Sequence, residues 1–586
     1  MDAATWFSNT RPRPRQLARF RARTWPATAP RFAVAIRLLD EGPNWLAESL
    51  RSLAGQTYGN WQAVVAIPHS VSAEVRAVLE RQAASDHRLS LTSSSLDKAL
   101  RGSGATYYCF LDHGDVLEPH ALHRLAEAVL HHPSDLLYSD EALTGESTEA
   151  VQAVEVRPAF SYDLYLAHEY FKNLLTVRAG CVAQAGGLGD ANRWGCNQDF
   201  VLRVLEHSQH VSHLPEILYR RRCHVDHRAK PNPPRAAEMQ RQNVARHLRR
   251  LGLPAVVQPT AEPDCRDVQF RVIRRGQVGI IIPTRNHGDL LRRCIESLEA
   301  TLRPSQASIL VLDHESDEPA TVAYLSELRQ RWPVLPYRGT FNFSAMMNAG
   351  ADHLRHCDYY LFLNNDTEAL EAGWLDHMVG LAQREDVGVV GAVLLYPDRT
   401  VQHAGVVVGF RLAAEHLPKG TPTFGQDGSR LAGPSRALLA TRDQSAVTGA
   451  CLLMRSEVFR ALGGFDERLA VGFGDTDLCL RARAAGYKVL LDAQAVLLHH
   501  ESATRPTHMP DPHPTDTRLF RARYLDLLLH GDPTYSQAWS YLENSQLNGF
   551  ARAPQVLRPR VAPVVLPHVA TGAVLGSVRS LRWKAA

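Results

Sequence analysis

In the second half of this 586-residue chain, four polar clusters lie at or near the ends of apolar runs. Asp313 follows the run 308–312, and Asn364-Asn365-Asp366 follow 359–363. Asp475 and Asp477 lie in Phe-Gly-Asp-Thr-Asp-Leu, and His499-His500 follow 495–498. A carboxylate at a strand end suits a hard divalent cation, Mg²⁺ or Mn²⁺, which takes oxygen ligands and shares them with substrate phosphates. Mn²⁺ also accepts imidazole. A second carboxylate within hydrogen-bond reach of a hydroxyl can serve as its general base. One such Asp alone is more often a helix cap or a turn former, but four in order along one sheet outline a site.

That placement makes sense if the apolar runs are strands of an open parallel sheet, where ligands bind beyond the carboxyl ends near a topological switch point. An internal repeat supports it. Residues 107–122 (Tyr-Tyr-Cys-Phe-Leu-Asp-His-Gly-Asp…) and 359–375 (Tyr-Tyr-Leu-Phe-Leu-Asn-Asn-Asp…) both read as a short strand, an acidic cluster and a helix. Upstream, 32–67 and 278–313 each predict strand, helix, strand. Apolar strands alternating with helical patterns indicate buried parallel strands in βαβ units. A Gly-Gly turn and an acid recur downstream, Gly186-Gly187 with Asp199 and Gly463-Gly464 with Asp475.

The expected fold is therefore α/β, with two tandem copies of one domain at 31–224 and 277–505 and mostly parallel central sheets. A basic tail, 1–30, precedes them. The connector 225–276 carries a Pro-rich turn (Pro231, Pro233, Pro234), a helical pattern near 236–251 and strand-like runs at 255–258 and 268–273. The extension 506–586 has a helical pattern at 517–530.

Composition narrows the function classes. The length is about four times a typical domain, so a large core is no difficulty. A balance of 65 basic against 61 acidic residues, net +4, argues against a dedicated nucleic-acid binder. No apolar stretch approaches the roughly 20 residues of a membrane-spanning helix. Residues 1–30 carry six arginines from Arg11 to Arg23 but no apolar core of a signal peptide. Nine scattered cysteines without a Cys-x-x-Cys pair suggest neither a disulfide framework nor a structural zinc site. A cytoplasmic location fits best. The arginine-rich start reads as a solvated tail, or alternatively as a peripheral contact with anionic lipid at the inner face of the membrane.

The motifs then resemble a family. Ile-Ile-Ile-Pro-Thr-Arg-Asn (280–286), Phe-Asn-Phe-Ser-Ala-Met-Met-Asn (341–348), Leu-Phe-Leu-Asn-Asn-Asp-Thr-Glu (361–368), Gln-His-Ala-Gly-Val-Val (402–407), Ala-Val-Thr-Gly-Ala-Cys (446–451), Gly-Gly-Phe-Asp-Glu (463–467), Gly-Asp-Thr-Asp-Leu-Cys-Leu-Arg (474–481) and His-His-Glu-Ser (499–502) are similar to bacterial family 2 glycosyltransferases. Within that family they resemble tandem enzymes of the rhamnosyltransferase and O-antigen biosynthesis kind. The first half resembles it through Gln-Thr-Tyr-Gly-Asn-Trp (56–61), Leu-Asp-His-Gly-Asp (111–115), Asp-Leu-Leu-Tyr-Ser-Asp-Glu (135–141), Asn-Gln-Asp (197–199) and Leu-Pro-Glu-Ile-Leu-Tyr (214–219).

The resemblance implies a GT-A fold, a nucleoside-diphosphate sugar donor, a divalent cation and inversion at the anomeric carbon. By position, Asp475 would be the base on the acceptor hydroxyl, and Asp366 the metal-binding acid with His499 or His500 beside it. Asp313 would hold the base or ribose. Pro283, Thr284, Asn348, Asn364, Asn365 and Gly449 would join it on the nucleotide sugar, with Asp466 and Asp477 on the acceptor side. The implied acceptor is a glycan or lipid-linked glycan in cell-surface polysaccharide synthesis.

The first half departs from this pattern. Ala-Ile-Pro-His-Ser (66–70) has no acid where the second half has Asp313, Gly114 falls opposite Asp366, and Val201 opposite Asp477. Only Asp199 keeps its place, so this half is expected to be catalytically impaired and to serve acceptor binding or scaffolding. Asp112 and Asp115 could still chelate a metal, which leaves a second active site open. Trp45, Trp61, Trp332 and Trp374 read as packing residues rather than sugar platforms. The rival readings are nucleotidyl transfer, disfavoured by the single glycine in 283–289, and a non-catalytic glycan-binding scaffold.

Overall fold

The computed structural model describes residues 2–38, 42–68, 71–189, 197–223, 234–273, 276–425, 430–431, 436, 438–500, 511–536, 538–539 and 564–565. The turn at Pro231 and Pro233, Glu501 and Ser502 of the last motif, most of the chain beyond 539 and the expected boundaries near 224 and 505 lie outside the described residues.

The first sheet contains β1 (Phe32–Arg37), β2 (Trp61–Ala66), β3 (Leu89–Thr92), β4 (Tyr107–Asp112), β5 (Val116–Leu117), β6 (Leu136–Thr144), β7 (Val151–Glu155), β8 (Thr176–Arg178) and β9 (His210–Arg222). After the helix Pro234–Arg250 comes a hairpin, β10 (Ala255–Pro259) with β11 (Arg266–Phe270). The second region adds β12 (Val278–Thr284), β13 (Ala307–Asp313), β14 (Val334–Pro336), β15 (Tyr359–Leu363), β16 (Thr367–Ala369) and β17 (Val387–Leu395). It continues with β18 (Val401–His403), β19 (Val406–Val408), β20 (Ala414–His416), β21 (Arg442–Asp443), β22 (Cys451–Arg455) and β23 (Lys488–His499).

The two sheets follow one plan. Their orders are β9-β6-β8-β4-β1-β2-β3 and β23-β17-β22-β15-β12-β13-β14. In each, four parallel strands meet one antiparallel strand, β8 or β22, which leads to a parallel pair. A short strand, β5 or β16, then pairs antiparallel with the last one. The α/β class and the repeat expected from the sequence are thus present strand for strand.

Alternation along each strand divides the core into two layers. Ile280 and Ile282 of β12 join the apolar layer that includes Leu291 and Ile295 of the helix Gly288–Thr301. Ile281 faces the opposite layer, with Met346 and Met347 of the helix Phe343–His353. Gly350 lets that helix lie close to the sheet, since a Cβ there would come within 2.5 Å of Ile281 Cγ2. The second apolar layer thus lies directly beneath the loops that carry the site.

The connector hairpin and the first half are tied to the second by buried charge. Arg384 pairs with Asp163 and, at 2.9 Å, with Asp386; Lys488 Nζ lies 3.4 Å from Asp163 and 2.9 Å from Asp386. His377 bridges Asp267 of β11 (3.0 Å) and Asp492 of β23 (2.9 Å).

The expectation of a solvated tail at 1–30 is corrected. Residues Ala3–Thr10 and Pro14–Arg21 form two helices, the first burying Trp6 and Phe7 against Ala142, Ile217 and Ala538. Arg11 pairs with the buried Glu118 at 3.1 Å. An indole and a phenyl ring that find apolar partners outweigh the solubility of the flanking arginines. Trp61 and Trp374 are buried, while Trp45 and Trp332 are half-buried, Trp45 under Arg222 and Trp332 donating to Glu299, in keeping with packing roles. All eight cysteines among the described residues are free thiols.

Candidate functional site at the carboxyl edge of the second sheet

Register brings the expected residues together. Parallel pairing of β12 with β13 sets Thr284 beside Asp313, and β15 runs on the other side of β12. Beyond β15, Asn365 Nδ2 donates to Thr284 Oγ1 at 3.0 Å, bridging the strand tips. Asp313 Oδ1 accepts from Ser316 N at 3.1 Å and the residue remains half-buried at the edge. Pro283 lies at the same edge, also half-buried.

Asp366 is positioned by β16. Antiparallel pairing of Thr367 with His499 lays the end of β23 against the turn that follows β15. His499 Nε2 then lies 3.2 Å from Asp366 Oδ1 and 3.4 Å from Asn364 Nδ2, while its Nδ1 lies 3.3 Å from Gln402 Oε1. Burial disfavours the Asp366 carboxylate, but the adjacent His499 outweighs it and holds the pKa below the usual range. That buried oxygen has His499 Nε2 at 3.2 Å as an ion-pair neighbour and no further hydrogen-bond partner. A buried carboxylate oxygen without a donor, next to an imidazole nitrogen and an amide, is a donor set that fits a divalent cation.

Of the two histidines, only His499 meets Asp366. His500 turns its Nε2 to Glu368 Oε1 at 2.8 Å, so of the two alternatives it is His499 that lies beside Asp366; the His500 backbone N–H supports the Asp366 carbonyl at 2.9 Å.

Asp475 does not end a strand; it opens the helix Gly474–Ala484 after Phe473, whose φ is +64°. Its Oδ2 accepts from Gly449 N at 2.7 Å and its Oδ1 from Thr476 N at 2.6 Å, leaving a half-buried carboxylate aimed by two backbone donors. A Cβ on Gly449 would touch the Asp475 Cβ at 3.4 Å. The same loop reaches Asn364, because Ala450 O accepts from Asn364 N at 3.1 Å. Gly449 therefore fixes the Asp475 carboxylate through its backbone N–H.

Three further expected residues are engaged by their neighbours. Asn348 spends its amide on the 463–467 loop, donating to Phe465 O at 3.0 Å and Glu467 Oε1 at 2.9 Å and accepting from Phe465 N at 2.9 Å. Its amide shapes that loop. Asp477, fully buried, is bound by Arg481 at 2.7 Å, by Arg523 and by Tyr524 Oη at 2.7 Å. Asp466 is held by Arg468 at 2.8 Å and Arg523 at 2.6 Å, which keep its pKa far below the usual range. Both acids anchor the helix Pro514–His530 and are occupied on what was expected to be the acceptor side.

The structure also adds residues that the sequence reading gave no role. Gln402, His403 and Thr448 lie behind Asp366 and Asp475. His403 Nε2 lies 3.4 Å from Thr448 N, its ring centroid is 4.6 Å from that of His416, and burial keeps it neutral by pushing its pKa well below 6.5. The signal was the Gln-His-Ala-Gly motif, whose place on β18 is not evident from spacing.

In the first half the corresponding acids are occupied. Register places Arg37 of β1 beside Asp112 of β4, and Arg37 Nε donates to Asp112 Oδ1 at 2.9 Å. Asp115 is buried between Tyr219 Oη (2.6 Å) and Arg222 N (2.8 Å), and burial raises its pKa well above the usual range. Asp199 is paired to Arg203 at 2.9 Å. Of the two acids expected at a second site, a guanidinium holds Asp112, and Asp115 is buried in a tyrosine and backbone pair.

The family model for glycosyl transferase family 2 matches residues 279–463, the segment that holds β12 to β22 and most of the site. The chain carries a family 2 glycosyltransferase domain. It is 34% identical over 530 residues to "O-antigen biosynthesis protein RfbC" of Myxococcus xanthus, an alignment of 86% of this chain and 40% of that protein. It is 27% identical over 244 residues to "N-acetylglucosaminyl-diphospho-decaprenol L-rhamnosyltransferase" of Mycobacterium tuberculosis (strain ATCC 25618 / H37Rv), 38% of this chain and 76% of that one. The chain spans 40% and 54% of the lengths of two of the curated relatives it matches. Among solved structures it is similar to GalNAc-T7 with UDP, GalNAc and Mn²⁺, at TM-score 0.36 and 15% identity over 49% of this chain and 56% of that one. Among the described residues, no helix is long and apolar enough to cross a membrane.

Proposed function

We propose that residues 277–505 form a GT-A glycosyltransferase site that moves a sugar, with inversion, from a nucleoside-diphosphate sugar to a glycan or lipid-linked glycan during cell-surface polysaccharide synthesis. The observation that carries the reading is the contrast between the two sheets. Asp366 presents a buried oxygen without a donor beside His499, whereas Asp112 is held by Arg37. Mn²⁺ or Mg²⁺ held by Asp366 and His499 would neutralise charge on the departing diphosphate. Asp475, aimed by Gly449 N and Thr476 N, takes the proton of the acceptor hydroxyl. Thr284 and Asn365, joined across the strand tips, and Asp313 orient the nucleotide. The names of the relatives support a rhamnosyl or related hexosyl donor.

The first half serves as a scaffold or acceptor platform, since its acids are already neutralised. Arg13, Arg15, Arg19 and Arg21 are exposed on and beside the helix Pro14–Arg21, which supports a peripheral contact with anionic lipid at the inner face of the cell membrane. Thermal-shift titration with UDP-, GDP- and dTDP-sugars in Mn²⁺ tests the reading. One donor class stabilises the wild type and loses most of that effect in Asp366→Ala, because a ligand that binds only the native state raises its stability by mass action. No stabilisation by any nucleotide sugar would refute it.

A further inference from the structure

We infer that His168, Asp264 and Cys265 form a second metal site, selective for zinc, that fastens the connector to both halves of the chain. Their ligand atoms, an imidazole nitrogen, a carboxylate oxygen and the thiol sulfur, all lie within 4.8 Å of one another. His168 ends the helix Tyr162–Ala167, and an antiparallel bridge joins its backbone to that of Cys265 in the connector. The second half closes the site, with Leu439 packed on Cys265 and Arg436 Nη2 on Asp264 Oδ2 at 2.9 Å.

The state of each donor points to a cation. Arg436 fixes one oxygen of Asp264, while the other, Oδ1, is buried with no hydrogen-bond partner. Cys265 is 1% exposed, which shields its sulfur from solution reagents. His168 Nδ1 lies 3.1 Å from the Asp264 carbonyl oxygen and 3.9 Å from Asp264 Oδ2, which fixes the ring beside the acid. A thiolate in so buried a place needs a positive partner. Zinc supplies it. Binding forms Zn–S, Zn–N and Zn–O bonds, and the thiol proton leaves to solvent. Mixed nitrogen, oxygen and sulfur donors suit zinc, with water in the fourth position. Thiolate and carboxylate against zinc leave the centre electrically balanced, with Arg436 outside it. None of these residues belongs to the Asp366 site.

The test uses the full chain, purified without chelators. Elemental analysis finds about one zinc per chain. Asp366→Ala retains it, while Cys265→Ser and His168→Gln drop below about a tenth of it. In case those variants fold poorly, the wild type is stripped and reloaded with Co²⁺. A thiolate-to-cobalt charge-transfer band in the near ultraviolet, with visible bands of tetrahedral intensity, is expected. Less than about a tenth of a zinc per chain together with a Co²⁺ spectrum lacking the thiolate band would overturn the inference, as would equal zinc content in Cys265→Ser.

Discussion

His377 joins the connector to the second sheet, and its ionisation makes that junction sensitive to pH. Burial works against the imidazolium, but the Asp492 and Asp267 carboxylates on either side outweigh it and raise the pKa from 6.5 to about 10. A group whose pKa is raised on folding adds stability that is complete below its unfolded pKa and is lost as pH climbs through the folded one. The window is therefore pH 6.5 to about 10. At about 1.4 kcal/mol per pH unit the full contribution is up to about 5 kcal/mol, of which about 2 kcal/mol disappears between pH 7.5 and 9. For a region of this size that is a fall of roughly 4–8 °C in Tm. His377→Gln keeps hydrogen-bonding capacity but cannot carry the charge. It should lower Tm at pH 7 and flatten the decline from pH 7.5 to 9, read by scanning fluorimetry on both proteins in matched buffers. Parallel Tm curves for wild type and variant across that range would refute the assignment of a buried imidazolium.

Arg523→Met removes a cation from Asp466 and the buried Asp477 and should cost about 2–3 kcal/mol, less than a fully orphaned buried charge because Arg481 and Tyr524 remain; urea denaturation measures it. Gly350→Ala drives a methyl into Ile281 and should cost about 1–3 kcal/mol in the same assay. Asp112→Asn, in the first half, should leave the rate of sugar transfer within about twofold of wild type, whereas a loss of about a hundredfold would show a second working site. Gly449→Ala should leave transfer within about threefold of wild type, because the new methyl meets Asp475 at ordinary van der Waals distance and the backbone N–H to its carboxylate is kept; steady-state kinetics measures it.

The repeat is legible in the sequence because parallel strands buried on both faces must be apolar throughout, and that pattern survives divergence. The two sheets reproduce it from the Tyr-Tyr strands β4 and β15 outward. Asp366 and Asp475 are legible as acids at loop positions, yet which groups surround them is a matter of register between strands far apart in the chain. The choice of His499 over His500 rests on pairing with Thr367, and no spacing reveals it. Arg37 is an unremarked strand-end residue until β1 and β4 align it with Asp112. Asp466 and Asp477 look like site acids because nothing local shows that Arg523, about fifty residues on, will occupy them. The docked N-terminal helices escape a reading of composition because a few buried rings outweigh many arginines.

The most direct test of the central claim is the rate of sugar transfer, or of donor hydrolysis, by Asp475→Asn with Mn²⁺ and the donor that stabilises the wild type. The account predicts a fall of roughly a hundredfold or more, with donor affinity within about threefold of wild type. An Asp475→Asn enzyme that transfers at the full wild-type rate would contradict it.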